Sequence, residues 1–238
     1  MNNIIFILLS LFLLSSCQTT GIMSGIDKDW DVGFYSNCQL PKNTISTIEE
    51  NGNKFLRFQL KNMQKGGCSS DRKKRHSAPY WERAELKQSN FLDKNSTYEI
   101  KFKVRFLEGF KGSRETFFQI HQSIPNCRTG PTTMLKFSTK RLRLDAKRNF
   151  KHHANYYSNI QIEELINKWS EFKITYDGKN KIINVFLNNN LIFKDITFVP
   201  LPCGSPHIKF GIYRPGNKYT PNNTSKVDFD EIKVKKIN

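Results

Sequence analysis

From Thr97 onward the chain alternates. In Thr97–Phe106 (TYEIKFKVRF), Tyr98, Ile100, Phe102, Val104 and Phe106 fall on one parity and Glu99, Lys101, Lys103 and Arg105 on the other. That is the period of a half-buried strand. EFKITYD and INVFLNNNLIFKD repeat the pattern, with turn signals at Asp177-Gly178 and at residues 188–190 that predict two hairpins. HIKFGIY and KVDFDEIKVKKI close the chain as further strands. The one helical candidate is short, residues 160–167 (IQIEELIN), and residues 215–225, rich in Pro, Gly and Asn, predict a long surface loop. Many short alternating strands with little helix predict an all-β fold, an antiparallel two-sheet sandwich with a short helix and long surface loops.

Residues 168–194 narrow this further. Trp169, an alternating strand, Asp-Gly, a second strand, an Asn-rich turn and a short third strand follow in order. The series resembles the β-jelly roll of the concanavalin-like sugar-binding proteins. In those proteins the second turn usually reads Asn-Gly; here it is Asn189-Asn190, and asparagine also accepts positive φ. Residues 227–234 (VDFDEIKV) fit the closing strand of such a fold.

The first residues differ in kind. An apolar run at residues 4–14 is too short to cross a bilayer and leads into Leu14-Ser15-Ser16-Cys17. This resembles a bacterial lipobox, which implies a signal peptide over residues 1–16, lipidation of Cys17 and a tether over residues 17–27. Residues 28–238 would form a single domain. Gln18 after the cysteine implies the outer membrane rather than retention at the inner one, so the expected location is an outer or periplasm-facing membrane, the cell surface included. The only membrane contact expected is the lipid anchor. About 220 residues remain after the signal, enough for one sizeable core. The other cysteines, Cys38, Cys68, Cys127 and Cys203, are even in number, as two disulfides in an exported protein require. None has C-x-x-C spacing or a histidine cluster, so no metal site is expected.

Charge adds a partner. With 38 Lys and Arg against 21 Asp and Glu the net charge is +17, a field that attracts polyanions. Outside the cytoplasm the available polyanion is an acidic polysaccharide, and the export signal argues against nucleic acid. The Lys, Asn and Ile richness also fits AT-biased coding, so charge alone assigns nothing.

Three polar motifs do more. Residues two apart on a strand share a face. In WERAELK, Ala84 and Leu86 point one way and Trp81, Arg83, Glu85 and Lys87 the other. In FFQIHQ, Phe118 and Ile120 are the buried pair and Gln119 and His121 share the opposite face. In HIKFGIYR, Ile208, Phe210 and Ile212 go to the core while Lys209, Gly211 and Tyr213 face out. Arg-x-Glu-Leu, Gln-Ile-His and Lys-x-Gly-x-Tyr, in that order on a jelly roll, resemble the polysaccharide lyases of the alginate lyase and heparin lyase I type. The resemblance runs from about Trp81 to the C-terminus.

The resemblance implies β-elimination on a uronate polymer such as alginate, glucuronan or a glycosaminoglycan. The C5 proton leaves, the C4–O bond breaks and an unsaturated uronate forms. Removing a proton beside a carboxylate requires that the carboxylate be neutralised and the enolate-like intermediate stabilised. Gln119 and Arg83 suit that task as donors. His121 suits the base, or part of the neutralising set, and Tyr213 the acid, or both base and acid where the C5 proton and the leaving group lie on the same face of the sugar. Lys209 and Arg214 would favour the phenolate or bind sugar acids, and Glu85 would orient Arg83. Arg143, from the basic KFSTKRLRLDAKR stretch, and Lys74, from the basic run at residues 72–76, are further candidates for substrate contact. His152 and His153, adjacent and so pointing apart in a strand, read as loop residues and not as a metal pair. No cofactor is needed; a calcium ion, if bound, would be structural. The domain is expected to act as a monomer.

Two rivals remain at this stage. A glycoside hydrolase on this fold needs two flanking carboxylates, typically as Glu-x-Asp-x-x-Glu, and no such run occurs. A non-catalytic module for acidic glycans would share the fold and charge but form no unsaturated product. Cys127 follows the histidine strand and Cys203 precedes the tyrosine strand, which favours a Cys127–Cys203 bridge and leaves Cys38–Cys68 as the other.

Overall fold

In a computed structural model, which describes residues 34–35, 38–74, 78–122, 130–202, 204–216 and 224–238, the alternating segments pair as antiparallel strands. In chain order they are β1 (Phe34–Tyr35), β2 (Ile45–Glu50), β3 (Asn53–Leu60), β4 (Trp81–Gln88), β5 (Thr97–Phe106), β6 (Glu115–Gln122) and β7 (Gly130–Ser138). Then follow β8 (Arg141–Lys147), β9 (His153–Gln161), β10 (Trp169–Asp177), β11 (Ile182–Leu187), β12 (Asn190–Thr197), β13 (Pro206–Pro215) and β14 (Ser225–Lys236). Among the described residues they form two seven-stranded sheets, ordered β1-β4-β13-β6-β7-β8-β9 and β12-β11-β10-β5-β14-β3-β2. The predicted all-β sandwich of jelly-roll type is the fold. The candidate helix is a single 3₁₀ turn, Ile162–Glu164, closed by a capping box in which Gln161 N–H donates to Glu164 Oε1 at 2.8 Å. The preceding residues, up to Gln161, belong to β9.

The sheets meet through aromatic rings. Phe102 of β5 stacks on Phe118 of β6, in the other sheet, at 5.0 Å, and on Phe172 of β10, its neighbour in the same sheet, at 5.5 Å. Phe106 meets Phe117 of β6 at 5.0 Å and Phe137 of β7 at 5.2 Å, both edge-on. Each such ring withdraws a large apolar area from water and adds an oriented ring contact. Phe117 departs from strict alternation. The register of β6 against β7 slips between Thr116 and Phe118, so both Phe117 and Phe118 enter the core while Gln119 keeps its outward parity.

The hairpins lie near the predicted places. β10 and β11 pair from Asp177 opposite Ile182. The β11–β12 turn is Asn188-Asn189, one residue earlier than Asn189-Asn190, and both residues have positive φ, 47° and 66°. Two consecutive left-handed residues are what a tight two-residue hairpin requires, and asparagine tolerates them.

Candidate active site

The three polar motifs occupy neighbouring strands. β13 lies between β4 and β6, and the register sets Tyr213 opposite Arg83, Gly211 opposite Glu85, and Lys209 opposite both Lys87 and Gln119. His121 faces His207 across the same seam, with ring centroids 5.4 Å apart. The outer face is recessed: Arg83 is 7% exposed and Gln119 2%, whereas His121 and Tyr213 are half-buried.

A gap separates Lys209 from Tyr213. Gly211 between them has no side chain, and a Cβ built on it would point to the core side, 2.1 Å from the Ala84 carbonyl oxygen and 2.8 Å from the ring of buried Phe58. Its φ of +131° adds backbone strain for any other residue. Beneath the gap, the Gln119 amide nitrogen donates across β13 to Glu85 Oε1. Glu85 Oε2 in turn accepts from Arg83 Nη1. Arg83 is gripped from its other edge by Asp71, with Nε and Nη2 each donating to one carboxylate oxygen at 2.8 Å. Tyr213 covers the guanidinium, its ring centroid 4.2 Å from Arg83 Cζ, and stacks on Trp81 at 4.9 Å. The chain Asp71–Arg83–Glu85–Gln119 thus fixes the floor, with a phenol at one end and an imidazole at the other.

The electrostatics follow from burial among cations. Burial pushes the His121 imidazole well below its ordinary range, and Lys209, His207, Arg83 and Lys87 push the same way. His207 falls to about 3 through burial, Lys87 and Lys209. Lys209 is lowered to about 8 by burial; Glu85 opposes this while Arg83 and Lys87 add to it. Burial works against the Arg83 charge, but Glu85 and Asp71 outweigh it and hold the guanidinium protonated. The face therefore carries neutral imidazoles beside fixed positive charge. His121 Nδ1 is buried without a hydrogen-bond partner among the described residues.

The candidates divide accordingly. His121, Gln119, Arg83, Glu85, Lys209 and Tyr213 share this face. Arg143 lies on the same face two strands beyond β6, its Nε and Nη2 donating to Asp145 and its Nη1 to Tyr157 Oη at 2.9 Å. Lys74 is exposed in the segment after the Ser69–Arg72 3₁₀ turn. Arg214 is not on the face. It alternates inward from Tyr213, is 1% exposed, and donates to Glu82 Oε2 at 2.6 Å and Glu115 Oε1 at 3.2 Å. It neutralises two buried carboxylates and has no access to a substrate. Cys38 and Cys68 form a disulfide. Cys17, Cys127 and Cys203 lie outside the described residues, as do the signal segment and tether. His153 is on β9, its Nε2 3.0 Å from the Pro131 carbonyl oxygen, and is not the loop residue expected. Among the described residues no three His, Cys, Asp or Glu side chains group as a metal site.

Asp71 and His207 were missed. Asp71 is the lone acid in a basic run and reaches Arg83 through a tertiary contact that no strand pattern announces. His207 was legible, because it shares parity with Lys209.

Comparisons with known proteins bear on the fold and the family. No curated protein matches the sequence. A family model described as polysaccharide lyase matches residues 20–233. Among solved structures, a doubly substituted family 7 alginate lyase A1-II′ in complex with substrate superposes with a TM-score of 0.60 at 15% identity, covering 82% of each chain. Alginate lyase A1-II′ itself gives 0.58 at 16% identity over 82% of this chain and 84% of that one. Alginate lyase PA1167 from Pseudomonas aeruginosa gives 0.53 at 14% identity over 76% and 82%. At these identities the structures share the fold, while the family model covers most of the sequence. The chain belongs to the polysaccharide lyases.

Proposed function

We propose that the protein cleaves a 1,4-linked uronate polymer of the alginate or glucuronan kind by β-elimination at the gap over Gly211. The observation that carries this reading is the Glu85–Gln119 bond beneath the gap, with Arg83 and Tyr213 on one side and Lys209 and His121 on the other. A sugar seated there would set its carboxylate against Lys209 and the second N–H of the Gln119 amide, whose first is held by Glu85. Arg83, fixed by two carboxylates, acts as preorganised positive charge. His121, kept neutral by its surroundings, accepts the C5 proton. The electron pair left at C5 forms the C4=C5 bond, the C4–O bond breaks, and Tyr213 protonates the departing oxygen. Because His121 and Tyr213 stand on opposite sides of the gap, base and acid are separate residues. The elimination needs no cofactor. A histidine and a tyrosine are also the two residues replaced in the substrate-bound family 7 variant, by asparagine and phenylalanine.

The test is a panel of alginate, glucuronan and glycosaminoglycans, with ultraviolet absorbance of the unsaturated uronate as readout. At least one polymer should yield product, and His121→Ala and Tyr213→Phe should each lower kcat by about 100-fold or more. No product from a folded sample on any polymer overturns the reading. The Cys17 segment supports export as a lipid-anchored protein; labelled fatty acid should be incorporated by the wild type and not by Cys17→Ser.

A further inference from the structure

The register places a row of side chains across six strands of the site's sheet: Arg83, Tyr213, Thr116, Lys136, Arg143 and Tyr157 are each opposite the next. We infer that Tyr157, with Arg141 and Arg143, is a distal sugar-acid subsite that recognises a uronate residue about four sugars from the gap. The inference rests on the lyase reading for the polymer's chemistry, though not for the subsite's geometry.

Tyr157 is 45% exposed, yet its position is fixed. Its hydroxyl accepts from Arg143 Nη1 at 2.9 Å, and the Cζ atoms of Arg141 and Arg143 each lie 5.4 Å from its ring centroid. Arg141 is itself held by two bonds to the Ser158 carbonyl, from Nε at 3.1 Å and Nη2 at 2.9 Å. With the bonds to Ser158, Asn159, Asp145 and Tyr157 made, each guanidinium keeps N–H groups for which no acceptor stands among the described residues. An exposed aromatic ring with two guanidiniums beside it suits a uronate, whose C–H surface packs on the ring while its carboxylate meets a guanidinium.

Spacing supplies the rest. Strands are about 4.8 Å apart, so Tyr157 on β9 stands about 19 Å from Tyr213 on β13. A 1,4-linked uronate chain advances by close to one strand spacing per sugar. A chain lying across the strands would therefore pass Thr116, Lys136 and Arg143 in step before reaching Tyr157. Lys136 keeps a cation on this path, 3.4 Å from Asp145.

The experiment compares wild type, Tyr157→Ala and Tyr157→Phe on uronate trisaccharides, hexasaccharides and polymer. Turnover is followed by product absorbance, and binding by calorimetry on a His121→Ala background. Tyr157→Ala should weaken hexasaccharide and polymer binding by about tenfold, raising KM with little change in kcat. The trisaccharide should be unaffected, and Tyr157→Phe should retain most of the affinity. Equal loss at every length, or no loss on the hexasaccharide and polymer, overturns the subsite. Tyr157-dependent binding of long oligomers without any unsaturated product would uphold the subsite and sink the lyase reading instead.

Discussion

Lys209 shows how one side chain's surroundings set the working range of a site. Its ammonium is lowered to about 8, so it is charged at neutral pH and loses its proton as pH rises through that value. If it neutralises the substrate carboxylate, kcat/KM should fall on the alkaline side with a midpoint near 8. In Lys209→Arg, which stays charged, that limb should move up by a pH unit or more. The acid limb has the opposite cause: His121 remains an unprotonated base well below the ordinary imidazole range. Activity should therefore persist below pH 6.5, and a pH–rate profile on both proteins checks the two limbs together. At this scale the sequence was readable where alternation governed and silent where it did not. Gln119, His121, Lys209 and Tyr213 face out as their parity requires. Arg214, drawn to the site by its charge, obeys the same parity with Ile208, Phe210 and Ile212 and lies inside. Asp71 reaches Arg83 from a 3₁₀ turn, where no period of two operates.

Among the elements, β13 carries the most constraint. It is paired on both sides, and at Gly211 an added Cβ would run into the backbone of β4. Gly211→Ala should cost more than about 1 kcal/mol in denaturant unfolding, since the Cβ meets a carbonyl and the φ of +131° is unfavourable for alanine. It should also lower activity beyond the stability loss, because the Glu85–Gln119 bond crosses the strand at that point; circular dichroism and turnover on the same sample separate the two. The element types were legible from alternation and turn residues. The one-residue slip in β6 was not, because only packing against Phe106 and Phe137 shows that Phe117 belongs inside.

For the whole molecule, the inner faces are not wholly apolar. Arg214, Glu82, Glu115 and Ser225 form a buried polar cluster between β13, β4, β6 and β14. Removing the guanidinium leaves two carboxylates unpaired in the interior. Arg214→Ala should therefore destabilise the fold by about 3–5 kcal/mol, measured by chemical denaturation. KM for the polymer should stay near the wild-type value in whatever fraction remains folded, which distinguishes a role in stability from one in substrate binding. The net charge of +17 assigned no partner by itself; the sheet register places three of its cations, Arg83, Lys136 and Arg143, in one row.

The Cys38–Cys68 link ends one residue before the 3₁₀ turn that carries Asp71, whose N–H donates to the Cys68 carbonyl at 2.9 Å. The oxidation state of two sulfurs is thereby coupled to the orientation of Arg83. Neither cysteine lies in a strand, so reducing the bond cuts no strand pair and instead untethers the loop through which Asp71 holds the Arg83 guanidinium. Reductant should therefore lower turnover more than it lowers the unfolding midpoint, as activity and circular dichroism on the same sample would show.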